Sequence, residues 1–168
     1  METTKIANRH EIERKFLPDT LPEDLFRFPS REIVQGYIQA DAVSEIRLRK
    51  QGQQCLWTMK LGKGLKRREA EFVLSPQLFD RLWPLTLGRR LEKVRYEIAH
   101  AEMVWEVDVY QKKLTGLRVV EVEFASEEEA ESFLVPGWFG HEVTRDERYK
   151  NKNLAFYGIP EDEVPYAE

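Results

Sequence analysis

Charged residues recur two positions apart along this chain, beginning with Glu11, Glu13 and Lys15 in the run Glu11-Ile12-Glu13-Arg14-Lys15-Phe16-Leu17. The same parity returns in Arg47 and Arg49, in Lys60, in Arg67, Glu69 and Glu71, in Lys93 and Arg95, in Glu106 and Asp108, and in Glu121 and Glu123. Successive residues of a strand point to opposite faces, so this spacing collects charge on one side of a sheet. The other side is apolar. Ile12 and Phe16 lie opposite Glu11, Glu13 and Lys15, and Trp57 and Met59 lie opposite Lys60.

A single segment of this kind is common on an exposed strand over an ordinary core. Repetition through seven strand-like segments sets a sharper choice: the charged face looks out into water, or a curved sheet turns it inward around a wet hollow. Eight antiparallel strands suffice to close a barrel with room for a small ligand. Unpaired inward charges would cost several kcal/mol each to desolvate, so such an interior has to be hydrated, mutually paired, or filled by ligand and metal. Carboxylates suit a metal and cations suit an anion.

The 168 residues, 42% hydrophobic and 11% aromatic, are enough for a sizeable core in one domain spanning 1–168. A formal net charge of −4, mixed in sign, argues against a protein that coats nucleic acid through a strong basic field. The lone cysteine, Cys55, excludes an internal disulfide, and no stretch reads as a signal peptide or membrane span. A reducing cytoplasm is the expected setting.

The punctuation predicts a mainly β (α+β) fold, a strand meander with accessory helices. Strands are expected at about 8–17, 33–40, 44–50, 54–61, 66–74, 89–98, 104–110 and 118–124. Gly52 and the Gly62-Lys63-Gly64 run supply turns. Ser75-Pro76 opens a short helix ending near Pro84, Ser126 with Glu129 forms a capping box, and Thr144 with Glu147 marks a third helix start.

Read in order, these segments resemble the CYTH proteins, also called triphosphate tunnel metalloenzymes. The match runs through Glu11–Leu17, Gln35-Gly36-Tyr37-Ile38, Arg47-Leu48-Arg49, Thr58-Met59-Lys60, Arg68-Glu69-Ala70-Glu71, Lys93-Val94-Arg95-Tyr96, Trp105-Glu106-Val107-Asp108, Gly116-Leu117 with Glu121-Val122-Glu123, and Glu142-Val143-Thr144 with Arg148-Tyr149. The resemblance implies an eight-stranded antiparallel β-barrel enclosing a charged tunnel, in which a triphosphate binds with divalent metal. In that frame Glu11, Glu13, Glu121 and Glu123 look like metal-binding carboxylates, with Asp108 and Glu106 assisting. Hard oxygen ligands suit Mg²⁺ or Mn²⁺, and the absence of a Cys/His cluster argues against zinc. Lys15, Arg47, Arg49, Lys60, Lys93 and Arg95 look like the phosphate clamp, and Arg67 shares their parity. Catalysis would fall to Glu11, Glu13 and Lys60. Tyr37 is added either for proton transfer, which would need cations such as Lys93 beside it, or for packing and substrate orientation.

The three histidines, His10, His100 and His141, lie outside the inward set and read as surface or capping residues. Lys150 and Lys152 could touch substrate, although an exposed position is the expectation. The implied reaction is hydrolysis of a small triphosphate, inorganic tripolyphosphate first. A nucleoside or thiamine triphosphatase, a class IV-type adenylyl cyclase and a non-catalytic polyphosphate-binding or nucleotide-binding module remain as alternatives.

Overall fold

The computed structural model describes residues 5–7, 12–41, 43–62 and 68–161. Among them one antiparallel sheet is built from β1 (Lys5–Ala7), β2 (Ile12–Leu17), β3 (Ser30–Ala40), β4 (Ser44–Gln51), β5 (Gln54–Leu61), β6 (Arg68–Leu74), β7 (Arg90–His100), β8 (Met103–Tyr110), β9 (Arg118–Phe124) and β10 (His141–Glu142). The helices are α1 (Pro76–Leu82), α2 (Glu127–Ser132) and α3 (Asn151–Tyr157). The strands lie in the order β1-β6-β5-β4-β3-β7-β8-β9-β2-β10.

Strands β2 to β9 fall where the alternation places them, and β1 and β10 are short additions at the two edges. The connectivity departs from a simple meander. β2 pairs with β9 rather than with β3, and β3 pairs with both β4 and β7. The Pro-bearing segment 18–29 crosses between β2 and β3, and its Leu25 is anchored in an apolar cluster with Phe16 and Trp105.

Chain length shows that the sheet curls. Ala7 lies in β1 and Ile12, five residues on, lies in β2. Five extended steps reach at most ~18 Å. Eight strand spacings separate β1 from β2 in the sheet order, which in a flat sheet would be ~38 Å. The sheet therefore bends into a barrel-like wall, helped by a register slip between Tyr37 and Gln39 where β3 meets β4. Hydrogen-bonded pairing does not run from β1 to β10, so among the described residues the wall is not closed by its ladders.

The apolar faces point outward and are covered by the accessory elements. Phe16, Trp105, Val107, Val120 and Val122 pack with Leu25, Ala130 of α2 and Phe139. Leu48, Cys55 and Leu74 pack under Phe79 of α1. A third cluster is different, because Tyr37, Tyr110 and Val119 share the parity of the inward charges. Leu154 and Ala155 of α3 and Leu114 pack against these three, so α3 lies over inward-facing residues of the wall.

Two of the three expected helix caps hold. Ser75 Oγ accepts from Leu78 N at 3.2 Å, and Ser126 Oγ accepts from Glu129 N at 3.1 Å. The third is corrected. Thr144 Oγ1 is taken by the backbone N–H of Lys15 at 2.9 Å, so it does not open a helix. Asp146 caps a single 3-10 turn instead, and α3 starts only at Asn151.

Gly140 precedes β10 with φ of 68°, and a Cβ there would lie 2.1 Å from the carbonyl oxygen of Leu17 and 3.0 Å from the amide of Asp19. Backbone cannot move aside as a side chain tip can. Gly140→Ala is expected to cost more than about 2 kcal/mol in denaturant unfolding, from the positive φ together with the clash. A loss within about 0.5 kcal/mol would contradict the close approach of the strands.

Candidate active site

Strand parity turns one file of side chains from each of eight strands into a hollow of about 480 Å³. β2 contributes Glu13 and Lys15, and β9 contributes Glu121 and Glu123. β7 and β8 add Arg95 and Glu106. On the other side stand Glu45, Arg47 and Arg49 of β4, Lys60 of β5, and Glu69 and Glu71 of β6. Tyr37 of β3 completes the wall, and Lys150, Asn151 and Lys152 reach in from the start of α3. Thus Glu13, Lys15, Tyr37, Arg47, Arg49, Lys60, Arg95, Glu121 and Glu123 are brought together as expected. Lys150 and Lys152, expected to be exposed, line the cavity instead. Glu11, Arg67 and His10 lie outside the described residues.

The side formed by β2, β7, β8 and β9 is densely paired. Arg95 is its hub: Nε donates to Asp108 Oδ1 at 2.7 Å, Nη2 to Asp108 Oδ2 at 2.7 Å and to Glu121 Oε2 at 2.6 Å, and Nη1 to Glu106. Lys15 Nζ lies 2.8 Å from Glu121 Oε1 and 3.9 Å from Glu13. Burial opposes the charges on Arg95 and Lys15, but the carboxylates outweigh it and hold both pKa values above their ordinary positions. Glu121 is likewise disfavoured by burial, yet Lys15, Arg95 and Lys93 bring it well below the usual carboxylate range. Glu106 goes the other way, because its burial is only partly offset by Arg95 and its carboxylate neighbours add to the rise.

Lys93 and Asp108 sit behind this surface, at 1% and 0% exposure. The Lys93 ammonium donates to Asp108, lies 3.5 Å from Asn151 Oδ1, and stands over the Tyr110 ring at 5.3 Å. Burial and the neighbouring Arg95 push its pKa down to about 8 despite Asp108. Lys93 is therefore a buried support of the wall in this arrangement, and not a residue lining the hollow.

The opposite side carries Glu45, Glu69 and Glu71 beside its three cations, but two of those cations are not ion-paired among the described residues. Lys60 pairs with Glu69 at 3.1 Å. Arg47 Nη2 donates to the hydroxyl of Thr58 at 3.2 Å, Thr58 passes a hydrogen bond on to Glu71 at 3.0 Å, and Arg47 Nε is buried without a partner. Arg49 Nε donates to the neutral amide oxygen of Gln35 at 3.2 Å. Neither guanidinium forms an ion pair among the described residues. Burial, then Arg47 and Arg95, bring Arg49 down to about 10, which leaves it charged at neutral pH.

Tyr37 is 1% exposed, and its hydroxyl accepts from Gln35 Nε2 at 3.0 Å. Burial pushes its pKa upward in spite of Arg47 and Arg49, the opposite of what a general base needs. A buried hydroxyl held in this way is poorly suited to act as a general base. Gln35, Thr58, Tyr110 and Asn151 were missed because they are uncharged, although each of the first three carries the inward parity. His100 stacks on Trp105 at 4.2 Å outside the hollow and His141 begins the edge strand β10, in keeping with surface roles.

The donor chemistry fits a hard divalent cation. Glu13 stands directly opposite Glu123 across β2 and β9, and Glu106 opposite Glu121 across β8 and β9. Like charges in directly opposed positions destabilise a sheet unless a cation lies between them; Arg95 already bridges Glu106 and Glu121, and a metal would serve the Glu13–Glu123 pair. The described residues do not by themselves gather three carboxylates close enough to hold an ion, and Glu11 is not among them.

Removing Asp108 strands the buried Lys93 ammonium and takes from Arg95 one of its three carboxylates, whereas removing Lys93 leaves Asp108 held by the Arg95 fork. Asp108→Asn is expected to cost about 3–5 kcal/mol and Lys93→Met clearly less. The folded-state pKa of Lys93 lies below its unfolded value of 10.5. The folded protein therefore carries fewer protons at this site between about pH 8 and 10.5, and the group adds stability as pH rises through that window. Denaturant unfolding at pH 7.5 and pH 10 should show the wild type gaining on Lys93→Met. An unchanged difference would contradict the burial of the ammonium.

Comparison with known proteins agrees with this geometry. The CYTH-domain family profile matches residues 9–136. An inorganic triphosphatase of Nitrosomonas europaea is 47% identical over 148 residues, covering 86% of this chain and 96% of the relative. An inorganic triphosphatase of Acetivibrio thermocellus is 30% identical over 148 residues, covering 86% and 92%. A crystal structure of an inorganic triphosphatase superposes with a TM-score of 0.72 at 42% identity, covering 90% of this chain and 97% of that one. With more than half of its length matched and its inward charges in the family's order, the chain belongs to the CYTH-domain family.

Proposed function

We propose that this protein hydrolyses a small triphosphate, inorganic tripolyphosphate before others, with a divalent metal inside the barrel. One observation carries the reading. Arg47 and Arg49 point into the hollow without a carboxylate partner among the described residues, while Glu13, Glu106, Glu121 and Glu123 line its other side. A site that held metal alone would not retain unpaired guanidinium groups, and a site that held anion alone would not gather four carboxylates.

The residue roles follow from the charges. Arg47 and Arg49 take phosphate oxygens through their forks, and Lys60 supplies a mobile point charge that leaves Glu69 for the outgoing phosphate. Lys15 and Arg95 stay tied to Glu121 and fix where that carboxylate points. Lys93 and Asp108 hold Arg95 from behind. Glu13, Glu121 and Glu123, with Glu11, with Glu106 beside them and with Asp108 behind them, would hold Mg²⁺ or Mn²⁺. Such an ion supplies charge neutralisation on the phosphates and a lowered pKa for an attacking water. Removal of water from the substrate's oxygens, in a hollow whose dipoles are already fixed, strengthens each of these contacts.

Inorganic tripolyphosphate is preferred to a nucleotide because the described lining contains a single aromatic side chain, Tyr37, and that ring is buried with its hydroxyl engaged. The name inorganic triphosphatase on the two relatives supports the same choice. The buried free thiol of Cys55 supports a reducing, cytoplasmic setting. No described helix is long and apolar enough to cross a membrane.

Phosphate release from tripolyphosphate, ATP and thiamine triphosphate should be fastest for tripolyphosphate, stop with chelator and return with Mg²⁺ or Mn²⁺. Glu13→Ala should fold normally and lose roughly 10²-fold or more in turnover. Cyclic nucleotide from ATP, or tight binding without turnover of any of the three, would overturn the hydrolase reading.

A further inference from the structure

Asn151 opens α3 and lines the hollow between Lys150 and Lys152. Its carboxamide oxygen receives two hydrogen bonds. Tyr110 Oη donates at 2.6 Å and Lys93 Nζ at 3.5 Å. An ammonium has no lone pair and can only donate. The phenol is kept protonated, first by its burial and then by Asp108 and Glu121. Turning the amide over would set its N–H₂ against the Lys93 ammonium and leave the Tyr110 hydroxyl without its acceptor, so the orientation with Oδ1 toward both groups is the favoured one. Nδ2 then faces away from Tyr110 and Lys93 and makes no hydrogen bond among the described residues.

A neutral donor is useful at this point of the wall. Burial, and after it repulsion from neighbouring cations, already lowers the pKa of Arg49 and of Lys93, so another cation would raise the cost of the substrate-free state. An amide adds hydrogen-bonding capacity without charge. Its orientation is fixed by two buried groups, one of which, Lys93, is bonded in turn to the Asp108–Arg95 pair.

We propose that Asn151 is a substrate-contacting residue of the hollow: Nδ2 donates to a phosphate oxygen while Oδ1, locked by Tyr110 and Lys93, sets its direction. The inference rests on the triphosphate reading and adds a contact from α3 to it. Lys150 is bound to Glu147 beside it, which leaves the amide as the contact from this element whose direction is already set. The uncharged group also explains why charge spacing did not reveal it.

The test uses tripolyphosphate itself as the probe, titrated by calorimetry in chelator so that no turnover occurs, together with thermal unfolding and KM in the presence of metal. Asn151→Asp keeps the shape and gives Lys93 a stronger partner, so the thermal midpoint should hold or rise. Its carboxylate would meet the phosphates, and affinity should fall roughly tenfold or more, with KM rising in step. Asn151→Ala should lose affinity by a smaller factor. Wild-type affinity and KM in both variants would overturn the inference alone. A drop in thermal midpoint with unchanged KM would also overturn it, since that is the mark of a purely structural residue. Wild-type protein that neither binds tripolyphosphate in chelator nor hydrolyses it with metal would instead overturn the triphosphate reading, and the inference with it.

Discussion

The Arg95–Asp108 fork is the interaction on which the interior depends. A sheet with charge on its concave face gains nothing from closing unless those charges are neutralised, because each unpaired buried ion costs several kcal/mol. Arg95 meets that requirement for three carboxylates at once, on β8 and β9, while Lys93 and Lys15 close the chain of contacts at its two ends. The pairing also fixes register. A slip of one residue in β8 would carry Asp108 and Glu106 to the outer face, where Trp105 and Val107 now pack.

Neutralisation is uneven around the barrel, and the unevenness is what suits it to a polyanion. The β7–β9 and β2 side is held together by its own ion pairs. The β4 side carries Arg47 and Arg49 with hydroxyl and amide partners only. Such groups are already desolvated and aimed, so an arriving anion gains their full attraction with little reorganisation. The folded protein bears the cost of that preparation in advance, which is visible in the lowered pKa of Arg49. Apolar packing on the convex side, under α1 and α2, provides the stability that offsets it.

Much of this was legible in the sequence because a two-residue period is a statement about faces. The eight main strands, the inward file and the split between carboxylates and cations all follow from parity. Three things did not. The partner of β2 could not be read, because alternation names a strand's faces but not its neighbours, and the 18–29 crossing that leads from β2 to β3 and leaves β2 beside β9 has no period of its own. Thr144 and Glu147 have the spacing of a capping box, yet a tertiary contact to the backbone of Lys15 takes the hydroxyl. Lys93 carries the same parity as Arg95, but α3 covers it, so parity alone could not separate a lining cation from a buried one. Gln35, Tyr110 and Asn151 are neutral, and a search for charge passes over them even though they orient the charged groups.

The central claim is that Arg49 is a desolvated cation kept without an ion-pair partner for the sake of an anion. The most direct measurement is thermal unfolding of Arg49→Met beside the wild type, each with and without tripolyphosphate. Removing a largely desolvated charge that has no ion-pair partner among the described residues, while keeping an apolar stem of similar reach, should leave the ligand-free variant as stable as the wild type or more so. Tripolyphosphate should raise the midpoint of the wild type and leave that of the variant nearly unmoved. A variant that is less stable alone yet shifted by tripolyphosphate as far as the wild type would contradict the claim, and would mean that Arg49 serves the fold and not the substrate.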